Sequence, residues 1–118
     1  MQGARLPKHA KLLNGSDFDR VFEEPVRSSD RFFTVLVRPN DLEQPRLGMA
    51  ISKRRVRLSV KRSRIKRIVR ENFRLSEQNL DADYVVLAGK QGAKGTNQEL
   101  RASLEKHWEV LKKKCADF

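Results

Sequence analysis

Apolar residues near the start of the chain recur at the spacing of an α-helix. Phe18, Val21 and Phe22 lie three and four positions apart, which places them on one face of a short helix. Ser16 precedes them as a suitable N-cap, and Pro25 ends the segment because proline cannot continue a helix. The pattern therefore predicts one short amphipathic helix at this point.

Two longer segments show the same spacing and predict two longer helices. One is expected at about 60–76, with Ser59 as its cap, and the other at 97–114, where a run of three lysines suits the C-terminal end of the helix dipole. Each helix has one apolar face that can pack on a core. These faces carry Ile65, Ile68, Val69 and Phe73, and Leu100, Leu104, His107, Trp108 and Leu111.

Three shorter apolar runs, rich in β-branched and aromatic residues, predict strands at 32–38, 47–52 and 84–89. The first two are separated by a turn-forming segment, PNDLEQP, so they are expected to pair as a hairpin. Alternate residues of a strand point to opposite faces of its sheet. One face of the first strand then carries Phe32, Thr34 and Leu36, and the other carries Phe33, Val35 and Val37.

The order of these elements is a helix, two or more strands, a helix, a strand and a helix. This order predicts an α+β fold in which a single sheet and its helices enclose one core. A length of 118 residues is typical of one domain, here residues 1–118, with 1–14 expected to form a loose basic arm. No signal peptide or membrane span is expected, and the lone cysteine, Cys115, favours a reducing compartment.

Charge is distributed very unevenly along the chain. The formal net charge is +11, from 26 basic and 15 acidic residues. Residues 53–74 contain 11 of the basic residues and one of the acidic ones, which leaves 15 basic and 14 acidic residues elsewhere. Like charges at this density repel one another unless a polyanion is the normal partner. The pattern indicates a binding site for nucleic acid.

The helix predicted at 60–76 carries most of this charge on a face of its own. At about 100° per residue, its apolar residues occupy one arc and its cations an adjacent arc. Arginine predominates, and its planar guanidinium suits bidentate contacts with phosphate. A solvated surface and a nuclear-localisation tract are the two alternative interpretations of such a segment. The cationic arc carries Arg62, Lys66, Arg67, Arg70 and Arg74.

Three phenylalanines, Phe18, Phe22 and Phe32, are candidates for stacking on unpaired bases. Aromatic residues at helical spacing more often belong to a core, and on the pattern alone that interpretation is favoured. The two interpretations differ in whether the rings are exposed.

The residues offer little support for a catalytic or metal site carried by this chain. His9 and His107 stand apart, and no His/Cys spacing matches a metal site. Asp81 and Asp83 form a close pair that is typical of a loop. The segment GKQGAKG lacks the complete phosphate-loop motif, although its position after a strand leaves phosphate contact open. The chain is therefore expected to bind RNA or DNA without cutting it.

Four segments resemble the protein subunit of bacterial ribonuclease P, and they occur along the chain in the same order as in that family. The third is the most specific, because it is similar to the family's signature helix, in which an Arg-Asn-Arg triplet precedes further basic residues. Here the triplet is Arg62-Ser63-Arg64, and its serine is a departure from the family pattern. The segments are FDRVF (18–22), RLGMAISKR (46–54), KRSRIKRIVRENFR (61–74) and DYVVLAGKQGA (83–93).

The resemblance implies a cytoplasmic ribonucleoprotein enzyme that removes the 5′ leader from precursor tRNA. Its partners would be the ribonuclease P RNA and precursor tRNA, with no membrane and no protein partner required. The RNA subunit would carry the catalytic site and the Mg²⁺ ions. The protein would bind the leader and lower the Mg²⁺ requirement. The implied fold is that of a ribosomal-protein-like domain with a left-handed βαβ crossover, although such connections are right-handed in about 98% of cases.

The resemblance also divides the surface between two RNA partners. The signature helix and its flanks would contact the RNA subunit, and the surface between the first helix and the sheet would bind the single-stranded leader. No residue is assigned to catalysis or to a metal ion. The RNA-subunit residues would be Lys53, Arg54, Lys61, Arg62, Ser63, Arg64, Lys66, Arg67 and Arg70, and the leader residues Phe18, Phe22, Phe32, Thr34 and Leu36.

Three other functions are compatible with parts of the sequence. A ribosomal or general RNA-binding protein would bind structured RNA without promoting its processing. A DNA-binding module would place the basic helix in the major groove, although the chain lacks a clear helix-turn-helix partner. A protein-only nuclease would cleave RNA without an RNA subunit.

Overall fold

The computed structural model of the protein describes residues 11, 15–40, 42, 44–76 and 80–116. Within them, three α-helices and four strands follow the order α-β-β-β-α-β-α, which confirms the predicted α+β class. A 3₁₀ turn, Gly92–Lys94, precedes the last helix. The elements are α1 (Gly15–Glu23), β1 (Val26–Ser29), β2 (Phe33–Pro39), β3 (Arg46–Ala50), α2 (Ser59–Leu75), β4 (Ala82–Ala88) and α3 (Asn97–Lys114).

The basic arm expected at residues 1–14 lies outside the described residues, except for Lys11. This residue forms an isolated parallel bridge with Leu47 at the start of β3. No helix in the described ranges is long and apolar enough to cross a membrane.

The four strands form one mixed sheet in the order β1-β2-β4-β3. The hairpin expected between 32–38 and 47–52 is wrong, because β2 is antiparallel to β1 on one side and to β4 on the other. β3 instead pairs in parallel with β4. The sequence-based prediction missed β1, whose four residues, VRSS, contain one apolar side chain. A parallel neighbour requires a crossover connection, and α2 supplies it.

The turn between β1 and β2 is held by one aspartate. Asp30 Oδ1 accepts hydrogen bonds from the backbone N–H groups of Phe32 (2.8 Å) and Phe33 (2.9 Å). An aspartate that binds the amides following it stabilises a tight turn. This local interaction explains why the chain reverses at Asp30 and pairs β2 with the short polar strand before it.

Helices cover both faces of the sheet, but unequally. α2 and α3 pack on one face, where Val35 of β2 and Val86 of β4 join the main core. α1 packs on the other face, where Val21, Leu36 and Val85 form a smaller apolar cluster. Side chains alternate along β2 and β4, which assigns neighbouring residues of each strand to the two clusters.

The four apolar residues predicted to anchor α2 are all buried, so this part of the prediction is confirmed. Phe73, Tyr84 and Trp108 meet edge to face, with ring centres 5.4–5.7 Å apart. Burial raises the pKa of Tyr84 to about 12. Ser59 is not the cap that was expected, because Leu58 occupies the N-cap position without a side-chain hydrogen bond. The buried anchors are Ile65, Ile68, Val69 and Phe73.

A buried polar cluster connects the β1–β2 turn to α3. Ser28 Oγ lies 2.6 Å from His107 Nδ1, and Ser103 Oγ donates to Asp30 Oδ2 at 2.6 Å. His107 Nε2 lies 3.2 Å from the same Asp30 oxygen, without the alignment of a hydrogen bond. Burial lowers the pKa of His107, and the nearby Asp30 only partly opposes this effect. The imidazole is therefore neutral at pH 7 and fills a structural position in the core.

The same cluster also lowers the pKa of Asp30. Burial alone would raise the pKa of Asp30, but the hydrogen bonds from Ser103 and from the two backbone amides outweigh it, and the pKa lies below its usual value. Asp30 therefore stays ionised throughout the neutral and mildly acidic range.

We expect stability to fall as the pH is lowered from 7.5 to 5.5. The unfolded chain takes up a proton on His107 near its ordinary pKa of about 6.5, whereas the folded chain resists protonation there, so acid favours unfolding. Replacing the imidazole, His107→Gln, should make the free energy of unfolding less dependent on pH across this interval. Urea unfolding of the original chain and of the variant at several pH values measures the free energy of unfolding and its dependence on pH. An unchanged pH dependence in the variant would show that His107 is not the responsible group.

Candidate nucleic-acid interface

The cationic face of α2 is directed away from the core. Among the nine residues that the sequence assigned to this interface, five are exposed and four are partly exposed, and they extend from the loop before α2 to the second half of the helix. Side chains anchored on a packed helix hold a fixed spacing, which suits the regular phosphates of an RNA backbone. The exposed residues are Lys53, Arg54, Lys61, Ser63 and Arg67, and the partly exposed ones are Arg62, Arg64, Lys66 and Arg70.

Arg62, from the same predicted set, has a structural partner within the protein. Its Nη1 donates to the carbonyl oxygens of Val56 and Arg57, each at 2.9 Å. Val56 is fully buried, so this interaction fixes the loop before α2 between the helix and the core. Arg62 thereby orders the loop that presents Lys53 and Arg54.

Arg64 is the second member of the predicted set with a structural partner. Its guanidinium donates to Asn97 Oδ1 at 2.7 Å and to the carbonyl oxygen of Gly95 at 3.3 Å. Both partners lie at the start of α3. Gly95 is tightly enclosed, because a Cβ there would lie 2.7 Å from Leu100 Cδ2. Arg64 therefore ties α2 to the first turn of α3 as well as presenting charge.

Four of the five residues predicted to bind a single strand lie together, and we call them the α1–sheet surface: Phe18, Phe22, Thr34 and Leu36. Phe22 is 45% exposed, and Phe18 is partly buried against the small cluster under α1. Leu36 is only 3% exposed, so it supports the surface from below.

A neighbour of this surface was missed by the sequence analysis. Leu87 of β4 is paired with Thr34, shares its face of the sheet and is partly exposed. Alternation along the strand predicted at 84–89 was the signal that could have found it.

The structure does not bring Phe32 to this surface. Phe32 precedes β2 and is buried in the main core, where its ring would lie 3.0 Å from a Cβ at Gly95, just before α3. It lies in the turn held by Asp30 and not in the strand, so the alternation expected for 32–38 does not reach it. Phe32 therefore packs with the side of the sheet that α3 covers.

α1 is connected to the sheet by a buried ion pair that local sequence patterns did not predict. Asp83 is 1% exposed and accepts two hydrogen bonds from the Arg46 guanidinium, both at 2.8 Å. Asn40 Nδ2 also donates to Asp83, at 2.8 Å. Arg46 then reaches Asp17 of α1, with Nη2 and Oδ1 3.6 Å apart. The hydrogen bonds to Asp83 raise the pKa of Arg46, so the guanidinium stays charged.

Two further arginines connect the end of β2 to α1. Arg38 Nη1 donates to the carbonyl oxygen of Arg20 at 2.9 Å, and Arg20 Nη2 donates to the carbonyl oxygen of Pro39 at 2.8 Å. These reciprocal contacts satisfy backbone oxygens that the end of a helix and the end of a strand leave unpaired. They hold α1 at a fixed distance from the sheet.

The described residues include no group of three or more His, Cys, Asp or Glu side chains that could hold a metal ion. His107 is enclosed in the polar cluster of α3, and Cys115 is buried, which raises the pKa of its thiol. Asp83 belongs to an ion pair and Asp81 is exposed. Each titratable side chain considered in the sequence analysis, apart from His9, which lies outside the described residues, therefore has a structural or solvent-exposed position.

An α+β domain with an exposed cationic helix on one side of its sheet and phenylalanine side chains on the other has the features expected of a small nucleic-acid-binding protein. The chain matches the Ribonuclease P family model over residues 6–112. This chain belongs to the ribonuclease P protein family, and it is the protein subunit of the enzyme that processes the 5′ leader of precursor tRNA.

Individual relatives agree with this assignment across nearly the whole chain. The ribonuclease P protein component of Methylococcus capsulatus is 45% identical over 116 residues, which cover 98% of this chain and 91% of that protein. The protein from Pseudoalteromonas translucida is 40% identical over 116 residues, which cover 98% and 83%.

Solved structures show the same fold. The Staphylococcus aureus RNase P protein superposes with a TM-score of 0.81 at 28% identity, covering 87% of this chain and 95% of that one. The protein from Thermotoga maritima gives a TM-score of 0.70 at 27% identity, covering 82% and 90%.

The buried ion pair gives a stability prediction with a matched control. Asp83→Ala leaves Arg46 without its main partner, and breaking a buried pair typically costs about 3–5 kcal/mol. Asp81→Ala removes an exposed carboxylate two residues away and should change stability by about 0.5 kcal/mol or less. Urea unfolding measures the two free energies, and equal small losses would contradict a dominant role for the Asp83 pair.

Proposed function

We propose that this chain assists the ribonuclease P RNA through two separate surfaces. The cationic face of α2 and the loop before it bind the RNA subunit, and the α1–sheet surface binds the single-stranded leader of precursor tRNA. The observation that carries the proposal is the arrangement of charge and aromatic side chains: exposed cations lie on α2, and the exposed ring of Phe22 lies on the opposite side of the sheet.

Neutralisation of phosphates is the contribution expected of α2. The catalytic RNA and the precursor tRNA are both polyanions, and bringing them together concentrates negative charge. Lysine and arginine side chains that neutralise phosphates release condensed counterions, which favours association. Protein cations thereby replace part of the ionic atmosphere that Mg²⁺ would otherwise supply. The RNA subunit is the proposed holder of the Mg²⁺ ions, as membership of the ribonuclease P protein family implies.

Binding of the leader is the contribution expected of the α1–sheet surface. Aromatic rings stack on bases of any sequence, so an exposed phenylalanine can bind leaders that differ in sequence. Holding the leader also orients the adjacent scissile bond relative to the RNA subunit, which favours reaction by proximity. Phe22 and Phe18 provide rings, and Thr34 and Leu36 form the floor on β2.

The central test is release of the 5′ leader from a precursor tRNA at low Mg²⁺. We expect the ribonuclease P RNA with this protein to cleave at least about tenfold faster than the RNA alone, a difference of about 1.4 kcal/mol in the barrier. Protein alone should not cleave. If the protein leaves the rate of the RNA unchanged, a general RNA-binding function without a processing role is the better explanation. Cleavage by RNA-free protein would indicate a protein-only nuclease.

Assembly with the RNA subunit should depend on exposed cations of α2. Arg67→Gln removes a cation from an exposed position and should reduce the dependence of log affinity on log salt by about 0.9. Lys112→Gln, at the far end of α3, serves as the charge-matched control and should leave affinity for the RNA subunit unchanged. Arg62→Ala should also weaken assembly, but partly by releasing the loop. Filter binding across a salt series measures the slopes, and equal effects of Arg67→Gln and Lys112→Gln would contradict a localised interface.

Leader recognition should depend on Phe22. Phe22→Ala removes one stacking ring, worth about 1–3 kcal/mol, so the reconstituted enzyme should bind precursor tRNA at least about fivefold more weakly. Affinity for mature tRNA should stay unchanged. Leu75→Ala, at the 63% exposed end of α2, is the control for loss of an exposed apolar side chain. Phe18→Ala should act in the same direction. Equal losses for precursor and mature tRNA would contradict the assignment of this surface to the leader.

A further inference from the structure

A groove between α2 and α3 lies outside both proposed RNA surfaces, and we call it the α2–α3 groove. It has a volume of about 580 Å³ and is lined by the last turns of α2 and by the middle of α3, from Arg101 to Glu109. This part of α3 rises by about 12 Å, a little over two helical turns. The groove is therefore long enough to contact a short helix through side chains one turn apart.

Hydrogen bonds between the two helices build the floor of the groove. Trp108 is 1% exposed, and its Nε1–H donates to Asn72 Oδ1 at 2.7 Å. The Asn72 side chain also donates through Nδ2 to Glu105 Oε2, at 3.3 Å. One amide thus satisfies the indole and holds a carboxylate on the facing helix. The groove is preformed, so its occupation requires little ordering of the protein.

An exposed apolar side chain lies at one end of this floor. Leu75, the last residue of α2, is 63% exposed and lines the groove together with Trp108. Single exposed leucines are common on protein surfaces, but this one belongs to a concave surface with an indole in its floor. An apolar side chain of a partner would remove Leu75 from water, which favours association.

The charge of the groove is opposite to that of the chain. Glu71, Glu105 and Glu109 line it with one cation, Arg101, so its net formal charge is −2, whereas the whole chain has +11. Within the described residues, neither Glu71 nor Glu105 forms an ion pair, and Glu109 pairs with the exposed Lys113. Carboxylates repel the phosphates of RNA and attract cationic side chains. The groove therefore suits a basic partner and disfavours RNA.

The groove and the cationic face of α2 occupy different sides of that helix. Glu71 and Leu75 lie seven and eleven positions after Arg64, so they share the side of α2 that contacts α3. Lys66 and Arg70 lie about 100° or more around the helix from them. A segment bound in the groove would leave these two cations uncovered, so RNA and a protein partner could bind α2 at the same time.

We propose that the α2–α3 groove is a docking site for a basic amphipathic helix of another protein. Lysine or arginine side chains of that helix pair with Glu71, Glu105 and Glu109, and an apolar side chain packs on Leu75. Apolar anchors supply affinity in this mode of recognition, and complementary charge fixes the orientation. The inference is independent of the proposed function, because none of these residues belongs to either RNA surface.

The first test titrates the full chain with a synthetic helix of about 14 residues, in which leucines form one face and lysines flank them in an alanine background. Trp108 is the only tryptophan of the chain, so its fluorescence reports occupation of the groove. We expect a saturable change whose affinity decreases as salt is added. A peptide with glutamate in place of lysine should produce no such change. Absence of binding by the lysine peptide, or an equal response to the glutamate peptide, would overturn the proposal.

Substitutions in the groove should change the peptide affinity in opposite directions. Glu71→Gln and Glu105→Gln each remove one negative charge but keep an oxygen acceptor, and should weaken binding about two- to fivefold. Leu75→Ala should also weaken it, whereas Arg101→Gln removes the opposing cation and should strengthen it. Glu24→Gln removes an exposed carboxylate next to α1, on the other face of the sheet, and is the matched control. Equal effects of the groove variants and the control would contradict a localised site.

Leader release separates this proposal from the proposed function. In enzyme reconstituted with the ribonuclease P RNA, the groove variants should release the 5′ leader at the original rate, because their side chains contact neither RNA. A slower rate in these variants would assign the groove to RNA binding and overturn the proposal.

Crosslinking in cells identifies the occupant. A photoreactive benzoylphenylalanine in place of Arg101 should crosslink to a basic helical segment of another protein, and Glu105→Gln in the same chain should reduce the yield. Crosslinks to RNA, or to a second copy of this chain, would assign the groove to a different occupant and show that the proposal is wrong.

Discussion

The packing of one face of α2 against the sheet and α3 is the constraint on which the rest of the structure depends. Four buried side chains contribute about 1.5–3 kcal/mol each, whereas like charges one turn apart cost about 0.2–0.5 kcal/mol per pair. Burial therefore outweighs the repulsion among the cations of α2. A helix held in this way keeps its charges in register, so the proposed binding of RNA to this face requires little ordering of the protein. The four side chains are Ile65, Ile68, Val69 and Phe73.

The parts of the structure that follow from local periodicity could be predicted, and those that depend on long-range pairing could not. The anchoring face of α2 and its exposed cations follow from spacing along one helix. The predicted hairpin partner of β2 was wrong, because the true partner, the short polar strand β1, gives almost no hydrophobic signal. Phe32 was assigned to the wrong side because it lies in the turn before β2, where alternation does not apply. The Arg46–Asp83 pair joins residues 37 positions apart, a separation that no local pattern reveals.

The basic residues of this chain fall into two functional groups, and composition alone does not separate them. Arg46 and Arg62 donate to partners within the protein and shape the surfaces, while Arg67 and Lys61 are exposed and available to a polyanion. Loss of an arginine from the first group changes the geometry of a surface as well as its charge. The salt dependence of RNA binding separates the two groups. Only the loss of a residue from the second group changes the number of phosphates neutralised without altering the fold.

The sheet itself sets the geometry between the two proposed RNA surfaces. α1 lies on one face and α2 on the other, and β3 and β4 run in parallel, so the chain leaves both strands at the same edge. The loop toward α2 and the loop that carries Lys90 therefore lie near each other and near the start of β2. A hairpin between β2 and β3, as the sequence first indicated, would have left no place for β4 between them. The parallel crossover thus brings cations to the edge that lies between the two proposed RNA surfaces.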